Sequence, residues 1–485
     1  MNKIITLIRP PDVIGQKTMV NHLNINISLV YLASVLRNKE YEIKIIDAVA
    51  EDLQRITPAH RPGLVYRGIS NEEIVIKIPK NSNVIGIQLA FTRNYVFTRS
   101  LLKILRARYP ETLIVVGGEH VSALPEYTMQ DCPEIDICCI GEAEETLFEV
   151  CQEYFSNKNF EKVPGIYFRQ NGQIKSTGRR TGNLNLDKLP WPVWDAIPLD
   201  VYLSGKLGSG PNLGRRLPIM ASRGCPHQCT FCSSSLMWGK AYRTRTPHLI
   251  VEEIKYYVDR YKIDAIEILD LTIATNREWY YHFLHLLQEA NLGIKWSIPV
   301  GTRSETLDEE ILSLMYKAGC RYIGFAPESG SERTLSVIKK RVVLEKLANA
   351  IKTASKIGIT TKVNLIIGFP FETRKDLLAT FRFIIKLAFC GAHDTMVNIY
   401  IPFPGTEIFN DLIRDGTIKL GDELFDGMGL AWDVLSTKRK TVCKDINHVE
   451  LKIYRFCFSI TFYLLSNICR PWRFIRNLLN IVTGH

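Results

Sequence analysis

The chain has 485 residues, 46% hydrophobic and 23% charged, with 61 basic and 50 acidic side chains and a formal charge of +11. That length exceeds the roughly 250–300 residues at which a single core stops growing, so two domains and an appendage are expected in a composition typical of soluble globular proteins. No run reaches the roughly 20 apolar residues of a spanning helix, and the charge alone does not choose between nucleic acid, an anionic substrate and a membrane surface.

Met1-Asn2-Lys3 leads straight into a strand-like run without a signal segment, so the 12 cysteines are not read as a disulfide framework and a reducing, cytoplasmic setting is expected. Apolar runs at Ile4–Ile8, Ile43–Ile46, Val84–Leu89, Leu113–Val116 and Ile135–Ile140 alternate with helical patterns at Ser28–Arg37 and Tyr95–Arg108. This alternation predicts an α/β domain with a parallel sheet. Open sheets bind ligands beyond the carboxyl ends of their strands. That rule singles out Asp47, Phe91-Thr92, Gly117-Gly118-Glu119-His120 and Gly141-Glu142-Ala143-Glu144. Paired glycines admit a flat or phosphate-bearing ligand to the backbone, although an ordinary tight turn uses the same residues.

Tyr31-Leu32-Ala33-Ser34-Val35-Leu36-Arg37, Ile45-Ile46-Asp47-Ala48, Val116 to His120 followed by Leu124-Pro125-Glu126, and Gly141 to Thr146 together carry a resemblance. They resemble the cobalamin-binding domain that precedes many radical S-adenosylmethionine (AdoMet) cores. The resemblance implies a Rossmann-like domain over residues 1–155, with cobalamin near Gly117, Gly118, Glu119, His120, Gly141 and Glu142. Other cobalamin proteins carry Asp-x-His-x-x-Gly, whose histidine binds cobalt from below. Here Asp47 is followed by Ala48, Val49, Ala50 and Glu51, so no such lower ligand is expected. His120 is the other candidate, and a histidine in a turn is more often a hydrogen-bonding group.

Residues 156–210 read as a connector. It holds a hairpin around Asn171-Gly172, the stiff Leu189–Asp195 segment, and glycine-rich Gly205–Gly214, which lacks the Gly-Lys-Ser/Thr ending of a phosphate loop. After the apolar run Leu217 to Met220 comes Arg223-Gly224-Cys225-Pro226-His227-Gln228-Cys229-Thr230-Phe231-Cys232. Three thiolates at Cys-x-x-x-Cys-x-x-Cys spacing can hold a [4Fe–4S] cluster and leave one iron open for chemistry. A zinc knuckle would need a fourth ligand at regular spacing, and the next cysteine is the distant Cys320. The spacing, with Phe231 before the third cysteine, resembles the radical AdoMet enzymes. In that family AdoMet chelates the open iron, and one electron from the cluster cleaves it to a 5′-deoxyadenosyl radical.

Downstream, strands near Ala265–Leu269, Ile294–Pro299, Tyr322–Phe325, Thr361–Ile367 and Thr395–Tyr400 alternate with helices. With Leu217–Ser222 they predict a partial (β/α)6 barrel over residues 211–410, its working groups at the carboxyl ends of the strands. There the resemblance implies AdoMet contacts from Phe231, Asp270, Arg303, Glu328, Ser329, Gly330, Ser331 and Gly368. Two of these have plainer readings: the Glu328–Ser331 stretch as a helix N-cap with a neighbouring carboxylate, and Arg303 as a partner of the helix start at Asp308.

Residues 411–485 form a helical tail rich in Lys and Arg around apolar Phe456–Leu465. It is expected to pack on the barrel, and peripheral contact with the inner face of the membrane is its other reading. The resemblance implies methyl transfer to an unactivated carbon. Radical rearrangement or oxidative cyclisation is the alternative, and a non-enzymatic cobalamin- or redox-sensing module is the reading from another class. The expected partners are a small-molecule or lipid substrate and an electron donor such as flavodoxin or ferredoxin, with no nucleic acid. No catalytic side chain is assigned.

Overall fold

The computed structural model describes residues 3–18, 25–39, 41–181, 184–204, 210–430 and 441–473. The first ten strands are β1 (Ile4–Arg9), β2 (Asp12–Gly15), β3 (Glu42–Asp47), β4 (Ile56–Pro58), β5 (Leu64–Arg67), β6 (Val84–Gln88), β7 (Leu113–Gly117), β8 (Ile137–Cys139), β9 (Ile166–Gln170) and β10 (Gln173–Ser176). Seven of them form one sheet in the order β10-β9-β8-β7-β6-β1-β3. The five expected strands are its parallel centre. Alternate residues serve its two faces. Ile5, Leu7, Val84 and Val115 pack under helix Ile27–Arg37, while Ile8, Ile85, Ile114 and Val116 pack under helix Tyr95–Arg108. Burial on both faces is why these strands read as continuous apolar runs.

The Asn171-Gly172 turn forms as expected, with φ of 53° and 77° at its two central residues. Its hairpin does not stand apart as a connector: β9 pairs antiparallel with β8 and extends the first sheet. A small sheet, β2-β5-β4, was not expected. Its strands are three or four residues long, too short to show a period.

The later strands are β11 (Arg216–Ile219), β12 (Ser222–Arg223), β13 (Arg243–Thr244), β14 (Ala265–Ile268), β15 (Lys295–Thr302), β16 (Cys320–Glu328), β17 (Thr360–Ile367) and β18 (Asp394–Ile399). Six run parallel in the order β11-β14-β15-β16-β17-β18, with β11 and β18 at opposite ends, which is the open barrel expected. Their carboxyl ends gather the cysteine loop, Asp270, Arg303, Glu328 and Gly368 at one rim.

Helix His448–Cys469 buries Leu451, Phe458, Phe462 and Ser466, and it packs against helix Arg374–Cys390 and β18. One face of the tail therefore lies on the barrel. Residues Gly205 to Gly208 of the glycine-rich segment, and Lys438, Arg439, Lys440 and Arg476 of the basic tail, lie outside the described residues.

Candidate active site

Arg223, two residues before Cys225, is the hinge of the site. Its side chain is 3% exposed and reaches out of the barrel to the first domain, where its two terminal nitrogens donate to Glu142 (2.9 Å) and Glu144 (2.6 Å). Arg243 also donates to Glu142. The guanidinium lies 5.4 Å from the Tyr31 ring and 5.1 Å from the Trp238 ring, so it touches both halves of the molecule. Burial would lower its pKa, but the two carboxylates outweigh that and raise it. A second bridge runs from Glu119 to the Ser233 hydroxyl beside Cys232, and burial raises the Glu119 carboxyl above its ordinary value.

Between these bridges lies a cavity of about 220 Å³. Gly86, Gly117, Gly118 and Glu142 of the first domain face Met220, Arg223, Met237 and Trp238 across it. A Cβ at Gly86 would come within 2.8 Å of Leu7, so glycine there keeps the slot open. At Gly118, φ is +125° and a Cβ would meet the Leu89 carbonyl at 2.6 Å, which makes glycine obligatory in that turn. A second cavity of about 420 Å³ adjoins it through Ile27, Ser28, Gln88, Ala90 and Phe91, and its walls include Arg9, Arg67, Arg93 and Asp12. An apolar slot edged with glycines, opening to a polar chamber, fits a large flat cofactor with amide side arms.

The cysteine loop is pinned at both ends. Gly224 has φ +85°, and a Cβ there would overlap the Ala241 carbonyl at 1.9 Å. Thr230 N donates to the Ile338 carbonyl (3.1 Å), and Ile408 N donates to the Thr230 carbonyl (3.1 Å). Phe231 packs on Phe369 with ring centroids 5.7 Å apart, anchoring the loop in an apolar cluster. Cys225 and Cys229 are half-buried and Cys232 is exposed. Burial raises the first two thiols, while the charges of Arg303 and Lys340 pull them down. Among the described residues no three Cys, His, Asp or Glu side chains form a site for a single ion. A cuboidal cluster takes one thiolate per iron and so needs them further apart. The nearby cations suit the net negative charge of a cluster held by three thiolates.

Other rim residues are engaged differently from expectation. Asp270 accepts from Ala221 N (2.8 Å) and the Ser222 hydroxyl, so it holds the chain entering the cysteine loop; burial pushes its pKa up to about 7. Glu328 sits in the left-handed region at φ 72° and pairs with Lys340 at 2.9 Å. Ser331 caps the six-residue helix Glu332–Val337 through Thr334 N, which is the plainer reading of that stretch. The Ser329 hydroxyl meets Thr380 and receives Ser331 N. Gly330 N donates to Thr380, and a Cβ on Gly330 would strike the Thr380 backbone at 2.8 Å. Gly368 has φ +86° and admits Leu451 of the C-terminal helix, which a Cβ would meet at 2.7 Å; its close neighbour is protein. Arg303 donates to the Arg341 carbonyl and to Glu305, and the Asp308 carboxylate pairs instead with Arg277.

In the first domain, Gly141 N donates to Ser122 Oγ (2.9 Å), and a Cβ there would meet the Met237 carbonyl at 3.4 Å, so this turn also abuts the cysteine loop's helix. His120 does not face the cavity. It is buried beside Tyr95 (4.5 Å between ring centroids), with Nδ1 on Thr92 Oγ1 (3.1 Å) and Nε2 on Thr128 Oγ1 (3.3 Å). Burial pushes its pKa down to about 3, so it stays neutral. Both of its nitrogens are engaged in the core, and neither is turned toward the cavity. The cob(II)alamin EPR spectrum of the cobalamin-loaded protein is therefore expected to show no imidazole nitrogen splitting and to be unchanged in His120→Ala. Loss of such a splitting on mutation would reverse the assignment.

Residues 219–384 match the Radical SAM superfamily and residues 18–150 the B12 binding domain. An uncharacterized methyltransferase of Pyrococcus horikoshii is 31% identical over 414 residues, covering 85% of this chain and 84% of that protein. The cytidylyl-2-hydroxyethylphosphonate methyltransferase of Streptomyces wedmorensis is 29% identical over 432 residues, covering 82% and 80%. The fold is shared with the radical AdoMet methyltransferase TsrM from Kitasatospora setae, with a TM-score of 0.67, 16% identity, and coverage of 86% of this chain and 75% of that one. The chain belongs to the radical AdoMet enzymes that carry a B12-binding domain, and its cofactors are a [4Fe–4S] cluster, AdoMet and cobalamin.

Proposed function

We propose that the protein transfers a methyl group to an unactivated carbon of its substrate. The observation that carries this reading is the cavity walled by both domains, where groups held on the first sheet and groups held at the cysteine loop meet. Cys225, Cys229 and Cys232 would hold the cluster, with Arg303 and Lys340 balancing its charge, and Gly117, Gly118 and Glu142 would border the cobalamin. When bound, the cluster supplies the electron that cleaves AdoMet, and cobalamin supplies the methyl group. The chain's own contribution is placement: Arg223 and Glu119 fix the spacing of the two domains, and Gly224 and Phe231 fix the loop. The adjoining chamber carries three guanidinium groups and the carboxylate of Asp12 on its walls, which suits a substrate with an anionic or strongly polar group. A flavodoxin or ferredoxin would deliver electrons where Cys232 is exposed.

Anaerobic incubation of reconstituted protein with AdoMet, methylcobalamin and dithionite, in the presence of cell extract as a substrate source, tests the reading by mass spectrometry. Both 5′-deoxyadenosine and S-adenosylhomocysteine are expected. 5′-Deoxyadenosine alone would assign rearrangement or cyclisation instead.

A further inference from the structure

Helix His448–Cys469 has two apolar faces. One packs on the barrel, where Phe381 stacks on Phe458 with ring centroids 5.0 Å apart. On the opposite side Val449, Ile453, Phe456, Ile460, Leu464 and Ile468 follow at intervals of three and four residues, each 40–74% exposed. Trp472, just past the helix, continues the row at 65%. Helix Arg374–Cys390 lies alongside and runs the same way. Arg374 pairs with Glu450 at one end (2.7 Å), and Arg470 donates to the Ala388 and Phe389 carbonyls at the other (3.0 Å). Its outward row is Leu378, Arg382, Ile385 and Phe389, of which Leu378 and Phe389 are exposed apolar side chains. The row on helix His448–Cys469 forms an apolar strip about 30 Å long at 1.5 Å per helical residue, and Leu378 and Phe389 are exposed on the neighbouring helix.

A strip of this size marks an interface, and its rim says with what. The two helices carry six basic and two acidic residues. Both acids are engaged, Glu450 with Arg374 and Asp376 with Arg333. Lys375, Arg382, Lys386 and Lys452 border the strip, and the nearby Glu345 is held by Lys386. A second copy related by a two-fold axis would set these cations against themselves, whereas an anionic lipid surface complements them. No described helix is long and apolar enough to cross a membrane. An amphipathic helix that lies in the plane of the interface needs no such length.

We propose that this strip seats the protein in the interface of an anionic membrane, with its apolar row at the acyl boundary and its lysines and arginines among the headgroups. The seating does not depend on which reaction the site performs.

Full-length, cofactor-loaded protein is floated with vesicles of phosphatidylglycerol and phosphatidylcholine, and with phosphatidylcholine alone, at low and high salt. Co-flotation with the anionic vesicles is expected, and it should fall at least about tenfold at roughly 1 M salt, where the Debye length is about 3 Å. Lys452→Glu should weaken partitioning at least about fivefold, the equivalent of ~1 kcal/mol per cation at an anionic leaflet. Phe456→Ser with Ile468→Ser should abolish it at an unchanged melting temperature, because these side chains are already 65% and 74% exposed. Failure of the parent chain to float at low salt overturns the proposal. A soluble dimer that the double variant converts to monomer assigns the strip to a second copy instead, and a lowered melting temperature assigns it to the folded core.

Discussion

Anaerobically reconstituted Cys229→Ala protein is expected to hold far less than the full complement of about four irons and to give no 5′-deoxyadenosine above background, a loss of at least about 10³-fold. The reason is that no substitute thiolate is at hand. Of the nine other cysteines, Cys132, Cys138, Cys139, Cys151, Cys320 and Cys443 are buried, with their thiols raised by that burial. Cys390 follows the same rule from the outer helix, and Cys457 and Cys469 lie on the C-terminal helix. The loop cannot shift to compensate, since Gly224 and Thr230 fix its path on either side of Cys225. Cys320→Ala is the control: it removes a buried filler, costs about 1–2 kcal/mol of stability and leaves iron and activity intact. Full iron and full activity in Cys229→Ala would refute the ligand assignment.

The contrast between those two cysteines shows what the sequence can carry. Spacing along one loop is local information, so Cys225, Cys229 and Cys232 stand out from the fillers before any fold is known. The parallel strands are legible for a similar reason, because burial on both faces leaves uninterrupted runs such as Leu113–Val116. Positions at strand ends are legible too, and the rim does collect Asp270, Arg303, Glu328 and Gly368.

Partners at those positions are not legible, because they come from residues far away in the chain. Gly368 is a glycine on account of Leu451, Asp270 is occupied by Ser222, and His120 is enclosed by Thr92, Tyr95 and Thr128. The motif that singles out each residue carries no trace of these partners. Ser331 shows the reverse: the local pattern of a hydroxyl three residues before Thr334 already reads as a cap, and the structure agrees. The pairing of Arg223 with Glu142 and Glu144 is not legible for the same non-local reason. The one available signal was a charged residue directly after a buried strand, which demands a partner once the strand is placed.

Arg223→Ala is expected to destabilise the protein by about 3–5 kcal/mol at pH 7, because it leaves a buried carboxylate without its cation. Glu142 keeps Arg243, but Arg223 is the cation that hydrogen-bonds the Glu144 carboxylate, which otherwise has its own backbone N–H and the charge of Arg243 to hold it. The pH dependence separates this account from a simple packing loss. Burial alone would raise the Glu144 carboxyl, yet Arg223 outweighs it and holds the group below its ordinary 4.5. In the parent protein that pairing therefore stabilises above about pH 4.5 and is lost as pH falls through the lower folded value. In the variant, burial is opposed less, by the backbone N–H of Glu144 and the charge of Arg243, and the folded pKa rises. The deficit should then be largest at neutral pH and shrink as the solution is acidified and Glu144 takes up a proton. Glu144→Gln in the Arg223→Ala background should recover part of the loss at neutral pH, since the amide carries no charge to strand. Denaturant unfolding at neutral and acidic pH, followed on both variants with bound cobalamin monitored by absorbance, measures all of this. A variant within about 0.5 kcal/mol of the parent at neutral pH, as for an ordinary surface change, would show that the two domains are held together by something other than this arginine.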